Sequence, residues 1–242
     1  MLHKTRGIVL HSIKYGETGL ITTIYTEAYG RMSFIMQGIH SKKSPVKANL
    51  LRQLSLLEME VDFKQGRELQ RVRELKNSHP FGSIPYSIGK SSQAMFLAEL
   101  LNKVLKEEES RPDLFEFLYN SIQVLDLMED GVANFHLFFI LHLTRYLGFA
   151  PTQNFSQSNR FFDLAGGAFV ASQPEHPWFL HEVESQIISK ILEINYNNLA
   201  SLKVDRLQRN ILLSSILDYY GLHLGSRLHI KSLEVLKEIL QE

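Results

Sequence analysis

The run LEMEVDF at residues 57–63 places Leu57, Met59, Val61 and Phe63 on one side of an extended chain and Glu58, Glu60 and Asp62 on the other. A period of two over seven residues suits no helical face and requires a strand with one buried and one wet side. Lys64, Gln65, Gly66 and Arg67 then form a short turn into a second strand at 69–75. Three more strands precede them. Residues 7–14 set Ile8 and Leu10 against Val9, His11 and Ile13; residues 20–26 are rich in Ile, Thr and Tyr; residues 31–37 set Met32, Phe34 and Met36 against Arg31, Ser33 and Ile35. Gly16, Gly19, Gly30 and Gly38 punctuate them. Five strands in this span are too few for a sandwich and lack the crossover helices of a parallel sheet. They predict a small barrel of the OB-fold type, with an SH3-like barrel as the alternative. The longest connection, residues 39–53, lies where OB-folds often insert a helix or loop.

A loop at 79–87, HPFGSIPYS, marks a boundary near residue 80. The expected domains are therefore an OB-fold nucleic-acid-binding domain at 1–80 and a helical domain at 81–242. Helical spacing recurs at 91–107 through Leu97, Leu100, Leu101, Val104 and Leu105, and at 112–127 through Leu114, Leu118, Ile122 and Leu125. Pro112 suits the first turn of the latter, with Ser110 as its expected cap. Further helices are expected at 134–147, 182–195, 204–220 with Gly221 as the stop, and 232–240. Residues 149–180 lose the period and form an irregular insert, with two short strands around Gly166 and Gly167. The class is α+β: an N-terminal OB-fold β-barrel followed by a mainly helical domain with a cysteine-free irregular insert.

Lys and Arg balance Asp and Glu at 26 each, but residues 1–80 hold 13 basic against 7 acidic, so the remainder is acidic by the same surplus. Such asymmetry points to a polyanion partner for the first part. The absence of Cys excludes disulfides, thiolate nucleophiles and sulfur-ligated zinc. No apolar run reaches the roughly 18 residues of a membrane span, and a cytoplasmic protein is expected. No nucleophile, base and orienting group can be named together, which disfavours an enzyme. His142 falls on an apolar helical stripe and reads as a satisfied core histidine. No cofactor and no metal are expected.

Single strands bind OB surfaces through cations on phosphates and bases stacked on aromatic rings. Candidate phosphate contacts are Lys14, Arg31, Lys42, Lys43, Lys47, Arg52, Arg67, Arg71 and Arg73, with Lys4 and Arg6 less central; candidate stacking rings are Tyr15, Tyr29 and Phe34, with Tyr25 beside them. Core packing is the competing fate of each ring.

The order of motifs resembles the RecO family of DNA-repair and recombination-mediator proteins. The resemblance is carried by residues 7–44, by 53–75 with QLSLLEMEV and GRELQRVREL, by PDLFEFLYNSIQVLD at 112–126, by LGFAP at 147–151 and by YYGLHLGSRLHIKSLEVL at 219–236. It implies a non-enzymatic, nucleoid-associated protein that binds single- and double-stranded DNA and anneals complementary strands. It also implies that the protein works with RecR, docks the acidic tail of single-stranded DNA-binding protein, and so helps RecA onto DNA. Arg145, Arg206, Arg209, Arg227 and Lys231 are the cations available for that tail. Many members carry two Cys-x-x-Cys zinc pairs around the insert. This chain has none, which implies a metal-free insert held by Phe155, Phe161, Phe162 and Phe169. The competing reading is a protein-docking adaptor whose barrel is structural.

Overall fold

The computed structural model describes residues 2–37 and 48–240. The chain forms two compact units, Met1–Leu127 and Met128–Glu242.

In the first unit, strands β1 (Leu2–Tyr15), β2 (Gly19–Thr26), β3 (Gly30–Met36), β4 (Leu56–Asp62) and β5 (Leu69–His79) close a barrel in the order β1-β2-β3-β5-β4. β3 and β5 run parallel and the other neighbours antiparallel, which is the five-stranded OB arrangement. Closure depends on β1. Its first half pairs with β4, from Leu2 opposite Asp62 to Ile8 opposite Leu56. Its second half pairs with β2, and an irregularity between Val9 and His11 bends the strand from one neighbour to the other. The polar stretch before residue 7 carries no strand period, yet ladder hydrogen bonds to β4 make it strand.

Val9, Ile24, Phe34, Met36, Leu57, Met59, Val61 and Leu75 fill the barrel. The acidic side of β4 faces out as its alternation requires, and Glu58 pairs with Lys76 of β5 at 2.8 Å. Gly30 opens β3 at φ 65°, where a Cβ would stand 2.8 Å from the Glu107 carbonyl oxygen, so only glycine fits this turn.

Helices α1 (Ile88–Val104) and α2 (Pro112–Leu127) belong to this unit. α1 starts earlier than its apolar period suggests because the Ser87 side chain caps it, accepting from the Lys90 N–H. Ser110 is not the cap of α2; its hydroxyl donates to the Glu27 carbonyl at 2.8 Å. α1 covers β1, and Phe115 of α2 stacks on Tyr25 of β2 with centroids 6.4 Å apart. The loop between β5 and α1 is pinned by Asp126, whose carboxylate accepts from the N–H groups of Gly82, Ser83 and Ile84 at 2.8–2.9 Å. The Lys90 ammonium donates to the Ser83 hydroxyl at 2.7 Å and to the Asp126 carbonyl at 2.9 Å.

The second unit holds α3 (Phe135–Leu147), β6 (Phe161–Asp163), β7 (Ala168–Val170), β8 (Phe179–Leu180), α4 (Glu182–Glu193), α5 (Arg206–Leu224) and α6 (Leu233–Ile239). β6 and β7 make the hairpin expected around the paired glycines, and β8 adds a third strand on β6. Two residues are too short a strand to leave a period in sequence. α5 runs through Gly221, the expected stop, and ends at Gly225, which takes the left-handed conformation at φ 68°. In the insert Phe162 and Phe169 are buried 4.9 Å apart, Phe155 meets Phe169 edge-on, and Phe162 lies 5.8 Å from Tyr219 of α5. Phe161 is half-buried and packs edge-on against Phe179.

Candidate nucleic-acid interface

On the outer side of the barrel, Ile13 pairs with Ile21, Ile21 with Ile35 and Ile35 with Arg71, so one rung crosses four strands. Ile13 is 49% exposed, Ile21 and Ile35 are half-buried and Arg71 is exposed. Tyr15, exposed, continues this face two residues beyond Ile13, whereas Lys14 pairs with Leu20, and Leu20 with Met36 of the core, so it stands on the other side, exposed at the barrel end. Arg73 follows on β5 and stays largely in water, 3.9 Å from Asp62. Of the sequence candidates, Tyr15 and Arg71 thus lie on this outer side, where Arg71 has Asp62 of β4 as its strand partner, and Lys14 does not.

A groove of about 530 Å3 beside the β4–β5 turn gathers Tyr29, Arg31, Phe63, Lys64 and Arg67. Gln70 is buried and shapes this turn, its side chain bonding the Lys64 N–H and the carbonyls of Lys64 and Arg67. The groove suits phosphate poorly, since Glu68 and Glu108 also line it.

Several candidates are already occupied. Phe34 is fully buried in the barrel core and cannot stack a base. The alternation that turns Arg31 outward turns Phe34 inward. Tyr25 points outward but is sealed under Phe115. Arg31 is half-buried, donating to the Asn102 carbonyl and, at 2.9 Å, to the Leu105 carbonyl; burial lowers its pKa. Arg6 is held by Glu27 at 2.7 Å and by Glu116, above the rings of Phe115 and Tyr119. Its hydrogen bond to Glu27 raises its pKa against the effect of burial. Tyr29 commits one ring face to Phe63, with centroids 4.3 Å apart. Lys42, Lys43 and Lys47 lie outside the described residues. Arg52 is exposed and lines a different cleft, together with Tyr86, which lies in the loop read from sequence only as a boundary. A ring directly after Pro85 was the available signal.

In the second unit Arg145, Arg206, Arg227 and Lys231 are exposed, but Arg209 is buried. Its guanidinium donates to the Asn134 side-chain oxygen at 3.3 Å and to the carbonyls of Leu240 and Val204 at 3.1 Å. It braces the unit and is unavailable to a partner's carboxylate. His142 Nε2 lies 3.0 Å from the Ile191 carbonyl, the contact of a satisfied core histidine. His136 is fully buried, and burial together with Arg209 pushes its pKa down to about 3, so it is neutral at physiological pH. Among the described residues no group of three His, Cys, Asp or Glu could hold a metal, and no helix is long and apolar enough to cross a membrane.

A closed five-stranded barrel in this strand order, followed by helices, defines the class of OB-fold proteins. The family model described as Recombination protein O N terminal matches residues 1–81, and that described as Recombination protein O C terminal matches residues 85–234. The chain is 41% identical to the DNA repair protein RecO of Phocaeicola vulgatus over 239 residues, covering 99% of both chains. It is 39% identical to that of Bacteroides fragilis over 240 residues with the same coverage, and 35% identical to that of Flavobacterium psychrophilum over 242 residues, covering 98% of both. The chain belongs to the RecO family of DNA repair proteins.

Proposed function

We propose that this chain is a non-enzymatic recombination mediator of the cytoplasm and nucleoid. In this reading the barrel domain at 1–80 binds single- and double-stranded DNA and brings complementary strands together, and the domain at 81–242 docks partners. The observation that carries the proposal is the outer face of the barrel, where the exposed Tyr15 on β1 and the exposed Arg71 and Arg73 on β5 stand on an OB scaffold. Two strands held on one cationic face repel each other less, which lowers the barrier to annealing. The partners in this reading are RecR and the acidic tail of single-stranded DNA-binding protein, with RecA loaded as the consequence. Arg145, Arg206, Arg227 and Lys231 are the exposed cations for that tail.

Anisotropy titration with a labelled oligo-dT strand at two salt concentrations, beside a labelled acidic tail peptide, tests the proposal. Salt-sensitive DNA binding with independent peptide binding is the expected result. Arg71→Glu combined with Arg73→Glu is expected to weaken DNA binding roughly equally across sequences and to lower the salt slope by about one or two, leaving peptide binding intact. Lys42→Glu with Lys43→Glu is expected to act the same way. The second reading is a protein-docking adaptor in which the barrel is structural and the domain at 81–242 alone binds partners, through the exposed cations Arg145, Arg206, Arg227 and Lys231. Peptide binding without DNA binding at low salt would establish it.

A further inference from the structure

The cleft beside Arg52 differs from two other grooves of the barrel unit in having no carboxylate in its lining. It holds about 790 Å3 between β1, the 3-10 turn Ala48–Leu51, the loop after β5 and the start of α1, and its walls include His11, Arg52, Asn77, Phe81 and Tyr86. Among the described residues no carboxylate lines it. Glu27, Glu58, Glu60 and Glu74 line one of the other grooves, and Glu68 and Glu108 the second. In both of those the carboxylates stand among cations, Lys4, Arg6 and Lys76 in the one and Arg31, Lys64 and Arg67 in the other, whereas here the exposed Arg52 guanidinium has no carboxylate beside it in the lining.

Tyr86 is 84% exposed, so its ring is open to a partner. The loop that presents it is nonetheless fixed. Three N–H groups from Gly82 to Ile84 are held by Asp126, and the Tyr86 N–H donates to the Ser83 carbonyl at 2.9 Å. An open ring on a pinned backbone loses little further freedom when something stacks on it, which favours binding.

We propose that this cleft takes a single strand of DNA, with Tyr86 stacked on a base, Arg52 on a neighbouring phosphate and the His11 and Asn77 side chains donating along the strand. The inference rests on the DNA-binding reading above and deepens it by assigning the state of the strand. A base in a duplex is already stacked on its neighbours, so an isolated tyrosine ring gains only on an unpaired one.

The test is anisotropy with a labelled oligo-dT and with a labelled duplex at low salt, using the full chain. Tyr86→Ala is expected to weaken oligo-dT binding about tenfold and Tyr86→Phe by less than about twofold, while duplex affinity stays put. Arg52→Ala is expected to lower the oligo-dT salt slope by about one. Tyr86 is so exposed that its replacement leaves packing intact, and the far-ultraviolet spectrum checks this. If Tyr86→Ala binds oligo-dT like the parent while the Arg71 and Arg73 double variant loses it, the strand crosses the outer barrel face and the cleft assignment is wrong, with DNA binding standing. Equal weakening toward duplex and single strand would overturn the strand assignment. Failure of the parent protein to bind either at low salt would overturn the DNA-binding reading itself.

Discussion

Asp126→Ala is expected to lower the free energy of unfolding by about 3–5 kcal/mol, a large share of the roughly 5–15 kcal/mol that holds a typical domain together. The carboxylate is almost wholly buried and accepts three backbone N–H groups, from Gly82, Ser83 and Ile84. Alanine leaves all three without that acceptor in a site that water does not reach freely. Asp126→Asn keeps one oxygen and is expected to lose about half as much. Urea denaturation checks both, and an unchanged midpoint in the alanine variant would show that the loop holds without its anchor.

The same residue sets an acid limb. Burial pushes its pKa up, but the three N–H bonds and the Ser83 hydroxyl more than offset that, so the folded carboxyl titrates below its ordinary value. The folded state therefore binds this proton less readily than the unfolded chain does. Its contribution is complete above the unfolded value of about 3.9 and is lost as the pH falls through the lower folded value. The parent should lose stability more steeply than Asp126→Asn on that acid side.

Arg209→Met is expected to cost about 2–4 kcal/mol and to act on the second unit. Methionine matches much of the stem but leaves the Asn134 side-chain oxygen and the carbonyls of Leu240 and Val204 without their donor. Burial lowers the pKa of this guanidinium, with Asp205 opposing the shift, yet arginine remains charged across the working range. Arg209→Lys keeps the charge but cannot span three acceptors, so only part of the loss should be recovered. Thermal unfolding checks the pair. A midpoint unmoved by methionine, with tail-peptide binding lost, would return Arg209 to the list of docking cations.

Short-range patterns were legible wherever one residue type enforces local geometry. The alternation of β4 predicted its buried and wet sides, and α2 begins at Pro112 and ends at Leu127 as expected. The paired glycines announced the β6–β7 hairpin. Patterns failed where the partner was distant. The polar start of β1 is strand only because β4 lies beside it. Gly221 resembled a helix stop, but the left-handed turn falls at Gly225. Ser110 resembled a cap, but Glu27 takes its hydroxyl.

The candidate site followed the same division. Composition placed the cations in the barrel part of the chain, and periodicity by itself determined which side chains share a strand face: Arg31 with Ile35, Phe34 with Met36. Only the tertiary structure decided which faces remain open. Tyr25 and Ile13 both point outward, yet Phe115 closes over the first and the second stays in water. Arg209 and Arg206 stand on one helix, yet the first is buried among distant carbonyls and the second is exposed. Local sequence sets the direction of a side chain through the backbone period, whereas its freedom to meet a ligand depends on residues far along the chain that cover it or leave it bare.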